Sequence, residues 1–179
     1  RRRDVRQRQA RAEAGGLSAT GRSVHLLIRQ AMPADLPQVL ALCRQLDLPG
    51  EPALSELQAQ AQFEALTAGE RHRIYVAEQQ GQVVGTFALT FIGGLAHSAR
   101  DSCIVEDVVV TPSLRGTGVG KKMMAFAMRE CAARRCYKLV LSSHLQRDRA
   151  HRFYEGLGFR KHGFSFLIDP EAVDGAGQP

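Results

Sequence analysis

The residues best placed for chemistry lie between Val108 and Lys122, VVVTPSLRGTGVGKK, where a branched apolar run meets three spaced glycines and two lysines. The valines predict a strand, Thr111-Pro112 ends it, and helical spacing resumes at Met123, so the glycines fall where a helix begins. A helix start carries backbone N–H groups without partners and the positive end of the helix dipole, which together suit an anion such as phosphate. Glycine lets that anion approach, because no Cβ stands over the N–H groups. A P-loop is excluded: Gly120-Lys121 is followed by Lys122 rather than Ser or Thr, and its first glycine position holds Arg115. A dinucleotide fingerprint is excluded too, since Gly116, Gly118 and Gly120 are spaced G-x-G-x-G and no ribose-binding acid ends the next strand.

The strand leading into this loop, CIVEDVVV, carries two carboxylates, Glu106 and Asp107, in apolar surroundings. A buried strand tolerates such groups only when they are paired or used. Alternation along a regular strand puts Glu106 on one face with Val108 and Val110, and Asp107 on the other with Val109.

The elements that must position these residues follow from periodicity. HLLIRQA (25–31) predicts a strand, PADLPQVLALCRQL (33–46) a helix with Asp35 near its start, and SELQAQAQFEAL (55–66) a second helix running on to Gly69. RIYVAEQQGQVVGTFALTFI (73–92) predicts a hairpin turning at Gln80-Gly81. After the loop Gly93 to Ser102 come the carboxylate strand, a third helix burying Val119, Met123, Phe126 and Cys131, and a strand over YKLVLSS (137–143). A helix at Asp148 to Leu157 and a closing strand over FRKHGFSFLI (159–168) complete the pattern. Strands interleaved with helices give an α/β domain with a mixed sheet.

Arg115-x-x-Gly118-x-Gly120 resembles the coenzyme A loop, Q/R-x-x-G-x-G/A, of the GCN5-related N-acetyltransferase (GNAT) family. AHRFYEGLGF (150–159) resembles that family's second signature, a helix with A-x-x-F-Y ending in G-F. The two cover roughly Cys103 to Phe166, and the earlier half of the chain matches in pattern rather than motif. VEDVVV and CYKLVL further resemble glucosamine-phosphate acetyltransferases, and AHRFYEGLGFRKHGF resembles aminoalkylphosphonate acetyltransferases. The resemblance implies one GNAT domain over 24–170, its sheet of about six to seven strands flanked by helices. It implies an N-acetyltransferase moving acetyl from acetyl-CoA to the primary amine of a small molecule by direct attack in a ternary complex.

Site roles follow from the same resemblance. Pantetheine would lie along Val108, Val109 and Val110, with the Val109 N–H facing the thioester oxygen. The pyrophosphate would sit in Arg115, Gly116, Thr117, Gly118, Val119, Gly120 and Lys121, with Lys122 adding charge. Tyr154 would protonate the departing thiolate, a task suited to a phenol with a pKa of ~10, while Phe153 packs in the core. Glu106 is the expected base, Asp107 the alternative. Arg147 departs from the family, many of whose members carry Asn there; with Arg149 and Arg152 it is a candidate for the adenosine phosphate. His144 lies in the region where proton transfer would occur.

Composition narrows the rest. With 44% apolar residues in 179 and no apolar run near the ~18 that a membrane span requires, a soluble globular domain is expected, and four cysteines without metal spacing fit a reducing, cytoplasmic setting. The net charge is +6, but residues 1–23 hold seven arginines against Asp4 and Glu13, a balance of +5, so the remainder carries only +1. A basic face for nucleic acid is therefore not expected, and residues 1–23 are expected to be a disordered extension, with 171–179 a flexible tail. Cys43, Cys103, Cys131 and Cys136 lack metal-ligand spacing, so no metal is expected. A homodimer is compatible with the resemblance. Two other functions remain open at this level: acetylation of protein N-termini or lysines, and a non-catalytic coenzyme A-binding regulatory module.

Overall fold

The computed structural model describes residues 25–46 and 54–167. Within them the chain folds as β1 (Leu26–Gln30), α1 (Leu36–Cys43), α2 (Glu56–Thr67), β2 (His72–Gln79), β3 (Gln82–Ile92), β4 (Ser102–Val110), α3 (Val119–Ala133), β5 (Lys138–Val140) and α4 (Asp148–Glu155). Short 3-10 turns flank α1, at Pro33–Asp35 and Arg44–Leu46. The five strands lie in the order β1-β2-β3-β4-β5; the first four are antiparallel and β5 runs parallel to β4. The basic stretch 1–23 and the tail 171–179 lie outside the described residues.

Local chemistry accounts for the elements. The hairpin turns at Gln80 and Gly81, both with positive φ (54° and 77°), the backbone that matches strand twist. Ser55 caps α2 by accepting from the Gln58 N–H at 3.3 Å, and the Gln58 side chain accepts in return from the Ser55 N–H at 3.0 Å. One sheet face buries Ala31, Leu36, Val39, Ala59, Phe63 and Val76 under α1 and α2. The other buries Phe87, Leu89, Phe91, Cys103 and Val105 against Met123, Met124 and Ala127 of α3.

Asp35, buried at the start of α1, ties this helix to the sheet. Its carboxylate accepts two bonds from the Arg29 guanidinium, at 2.6 and 2.8 Å, and one from the Met32 N–H at 2.8 Å. Arg29 also donates to Glu78 at 2.9 Å. These donors, Arg29 first, outweigh burial and hold the Asp35 carboxyl below the usual carboxylate range. Because the folded pKa is depressed, the stabilisation is present above the unfolded value of ~3.9 and is lost as pH falls through the folded one. Asp35→Asn should lower unfolding stability by about 2 kcal/mol at neutral pH, with the difference from wild type shrinking in acid; chemical denaturation at pH 7 and pH 3 measures it.

Four expectations are corrected. The sheet has five strands among the described residues rather than six to seven. Residues 159–167 form no strand, and Phe164, Phe166 and Leu167 are almost fully exposed; alternation favours a strand only where an edge is available, and β5 offers one of three residues. β5 stops at Val140 instead of Ser143 because only Ser102–Ile104 of β4 pair with it. The helix expected to reach Leu157 ends at Glu155, ahead of Gly156.

Candidate active site

The early end of β5 leaves one edge of β4 without a neighbouring strand beyond Ile104. Which backbone groups face that gap follows from the hydrogen bonds. Thr111 N–H donates to Val84 O of β3 at 2.8 Å, while Val110 O accepts from the Arg115 side chain at 3.0 Å. Successive residues of a strand point their polar groups to opposite sides. Val110 and Val108 therefore present N–H and C=O to the gap, and Val109 turns its own toward Thr86 in the ladder. The expectation that the Val109 N–H faces the gap is corrected to Val108.

The faces change as well. Ala88 pairs with Glu106 and Thr86 with Val109, leaving Phe87 opposite both Asp107 and Val108: a β-bulge, with Asp107 at φ 52°. Asp tolerates this left-handed backbone better than most residues. The bulge resets the alternation. Glu106 now shares a face with Val109, on the side of α1 and α2, whereas Val108 and Val110 pack toward the α3 cluster. The expected pairing of Glu106 with Val108 and Val110 is corrected for that reason. Both carboxylates are exposed. Asp107 bears on α1: the partly buried Cys43 thiol is pushed up to about 11, first by burial and then by the Asp107 charge.

At the end of β4 the chain passes through Pro112–Leu114 into the glycine loop. Gly116 and Gly118 have φ of 84° and 96°, and a Cβ on either would meet open space, so backbone conformation is what requires glycine there. Gly118 caps α3, whose first intrahelical bond runs from Lys122 N–H to Gly118 O at 3.1 Å; the N–H groups of Val119, Gly120 and Lys121 precede it. Gly120 serves packing: a Cβ there would lie 3.2 Å from the Phe153 ring and 3.7 Å from Val110. The Val119 side chain is buried in the core, and the Thr117 hydroxyl donates to Leu114 O at 2.8 Å. Lys121 and Lys122 are exposed. Arg115 turns back, donating from Nε to Val110 O and from its terminal nitrogen to Gln45 Oε1 at 3.0 Å.

The Phe153 ring, packed close to Gly120, fixes α4 against the start of α3, and both Phe153 and Val110 border the same core cluster. The next residue, Tyr154, packs edge-on against Phe153 and Phe159 at 5.1 and 5.7 Å between ring centres. Burial pushes its phenol above the ordinary tyrosine value, against the opposing charge of Arg147. Arg147 itself donates to Leu46 O at 2.6 Å. The His144 Nδ1 accepts from Gln146 N–H at 3.2 Å, so the neutral ring carries its proton on Nε2. Sequence patterns missed the contacts of Gln45 and Leu46, which depend on packing between distant segments; the bulge had one trace, a carboxylate pair in mid-strand.

Among the described residues no cluster of His, Cys, Asp and Glu could hold a metal, and no helix is long and apolar enough to cross a membrane. A groove of about 750 Å³ lined by Arg71, Phe91, Ile92, Leu95 and Asp101 lies at the far end of β4 from the glycine loop.

The sheet parts beside β4, and the backbone groups on that edge lead into the free N–H groups at the start of α3, in an α/β domain with a mixed sheet. Residues 40–159 match the model of the acetyltransferase (GNAT) family. The chain belongs to that family of acetyl-CoA-dependent acetyltransferases. It is 32% identical over 102 residues to glucosamine 6-phosphate N-acetyltransferase of Trypanosoma brucei brucei, covering 57% of this chain and 67% of that protein. It is 32% identical over 91 residues to aminoalkylphosphonate N-acetyltransferase of Salmonella typhimurium, covering 51% of this chain and 58% of the relative. The structure superposes on a putative acetyltransferase from Agrobacterium tumefaciens with a TM-score of 0.75 at 33% identity, covering 80% of this chain and 99% of that one.

Proposed function

We propose that the protein transfers acetyl from acetyl-CoA to the primary amine of a small molecule. The observation that carries this reading is the continuity of the open β4 edge at Val108 and Val110 with the free N–H groups that open α3. Pantetheine amides would extend the sheet along that edge, and the pyrophosphate would meet the N–H groups of Val119, Gly120 and Lys121. The relatives named for glucosamine 6-phosphate and for aminoalkylphosphonates support an acceptor that carries phosphate or phosphonate.

The chemistry needs three groups. The neutral amine attacks the thioester carbonyl; the Val108 N–H, facing the gap, stabilises the oxyanion, a contact worth ~3 kcal/mol in comparable sites. Glu106 takes the proton released by the amine, and Tyr154 gives one to the departing coenzyme A thiolate as the carbon–sulfur bond breaks. Proton and leaving group balance without an acyl-enzyme or a metal.

Acetyl-CoA at about a hundred times its Kd should raise Tm by roughly 5–10 °C, the consequence of ~2.7 kcal/mol of linked binding. Gly118→Val, which forces a side chain into a left-handed cap above the phosphate site, should lose most of that rise, measured against the variant's own ligand-free Tm. An undiminished rise would remove the phosphate from the glycine loop. Gly120 is unsuitable for this test, because its substitution displaces Phe153 first. Thiol release across amines with and without a phosphate would then identify the acceptor class.

A further inference from the structure

The Arg115 side chain folds back from the glycine loop onto the edge of β4. The Arg115 Nε occupies Val110 O, a carbonyl of the open edge, and its terminal nitrogen reaches across to Gln45 Oε1, both at 3.0 Å. Gln45 belongs to the turn Arg44–Leu46, which follows α1 and is held on its other side by Arg147, donating to Leu46 O at 2.6 Å. Two arginines, one before α3 and one at the start of α4, thus fasten the same short turn over the gap beside β4.

We propose that Arg115 is a gate on the cofactor slot and that Gln45 is its catch: the guanidinium held by Val110 O and Gln45 Oε1 closes the slot, and acyl-CoA enters by drawing it off both onto phosphate. This rests on the acetyl-CoA reading above. Both present partners of Arg115 are neutral oxygens, and no carboxylate pairs with it among the described residues. Bonds from a guanidinium to phosphate are charge-assisted, about twice as strong as those to neutral acceptors, so the exchange runs toward the loaded state. The carbonyl vacated at Val110 then becomes available to a pantetheine N–H. Arg147 acts as a positioning residue in this scheme through its bond to Leu46 O, which keeps the catch within reach when the gate is shut.

The gate predicts opposite effects from two changes at one exposed residue. Gln45→Ala removes the catch and should raise the association rate of etheno-CoA, followed by stopped-flow fluorescence, at least threefold. Gln45→Glu gives Arg115 a charged partner and should lower that rate by a similar factor. Dissociation should change little in either, because Arg115 has left Gln45 in the complex. Association rates that match wild type in both variants, or that move in the same direction, overturn the gate while leaving the acetyl-CoA reading standing. A wild-type protein that binds no coenzyme A at all overturns both.

Discussion

Replacing Tyr154 with phenylalanine should lower kcat by ~10²-fold or more while the affinity for acetyl-CoA stays within about twofold. The ring is enclosed by Phe153 and Phe159, and phenylalanine fills the same space, so α4 keeps its place against Gly120. What disappears is the phenolic proton. Loss of a positioned acid typically costs 10²–10⁴-fold. The raised pKa adds a second signature: burial keeps the phenol protonated beyond its ordinary value of ~10, so wild-type kcat should show no loss from ionisation of this group below that pH. Equal losses in rate and in acetyl-CoA affinity would mean that Tyr154 binds rather than donates.

The second large effect concerns the carboxylates at the bulge. Glu106→Gln should lower kcat/KM for the amine by ~10²-fold at pH 7, with the deficit shrinking as pH approaches the pKa of the amine, ~10 for an alkylammonium, because the solution then supplies the deprotonated nucleophile. Asp107→Asn should behave differently. Asn accepts the left-handed bulge backbone as Asp does, so Asp107→Asn removes only the charge set against α1 beside Cys43 and should give at most a small deficit that is constant across pH. pH profiles of both variants with one acceptor decide the assignment: a constant deficit in Glu106→Gln, or a pH-dependent one in Asp107→Asn, exchanges the two roles.

The parts legible in the sequence were those governed by local rules. Gly116 and Gly118 announced a loop that L side chains resist, the apolar period of Val119, Met123 and Cys131 announced the buried face of α3, and Gln80-Gly81 announced the hairpin. The bulge was not legible, since strict alternation is the only register that pattern can offer, and one extra residue at Asp107 moved Glu106 to the face of Val109. Gly120 looked like its neighbours in the loop, yet its reason is the Phe153 ring, more than thirty positions away. Arg115 matched a motif position, but its contacts with Val110 and Gln45 were not legible there. Each miss involves atoms brought together by tertiary packing, which no window of sequence contains.

The parallel pairing of β4 with β5 spans only Ser102–Ile104 against Lys138–Val140. A ladder this short acts as a ruler. Its last rung, Ile104 with Val140, is where the space between the two strands closes, and each further rung would move that floor by about 3.3 Å toward the glycine loop, the length of two to three methylenes. On the reading proposed above, the depth left for the acyl group is therefore set by backbone pairing rather than by the bulk of any one side chain. Widening such a slot for longer thioesters calls for unpairing a rung, and trimming a single residue would not achieve it.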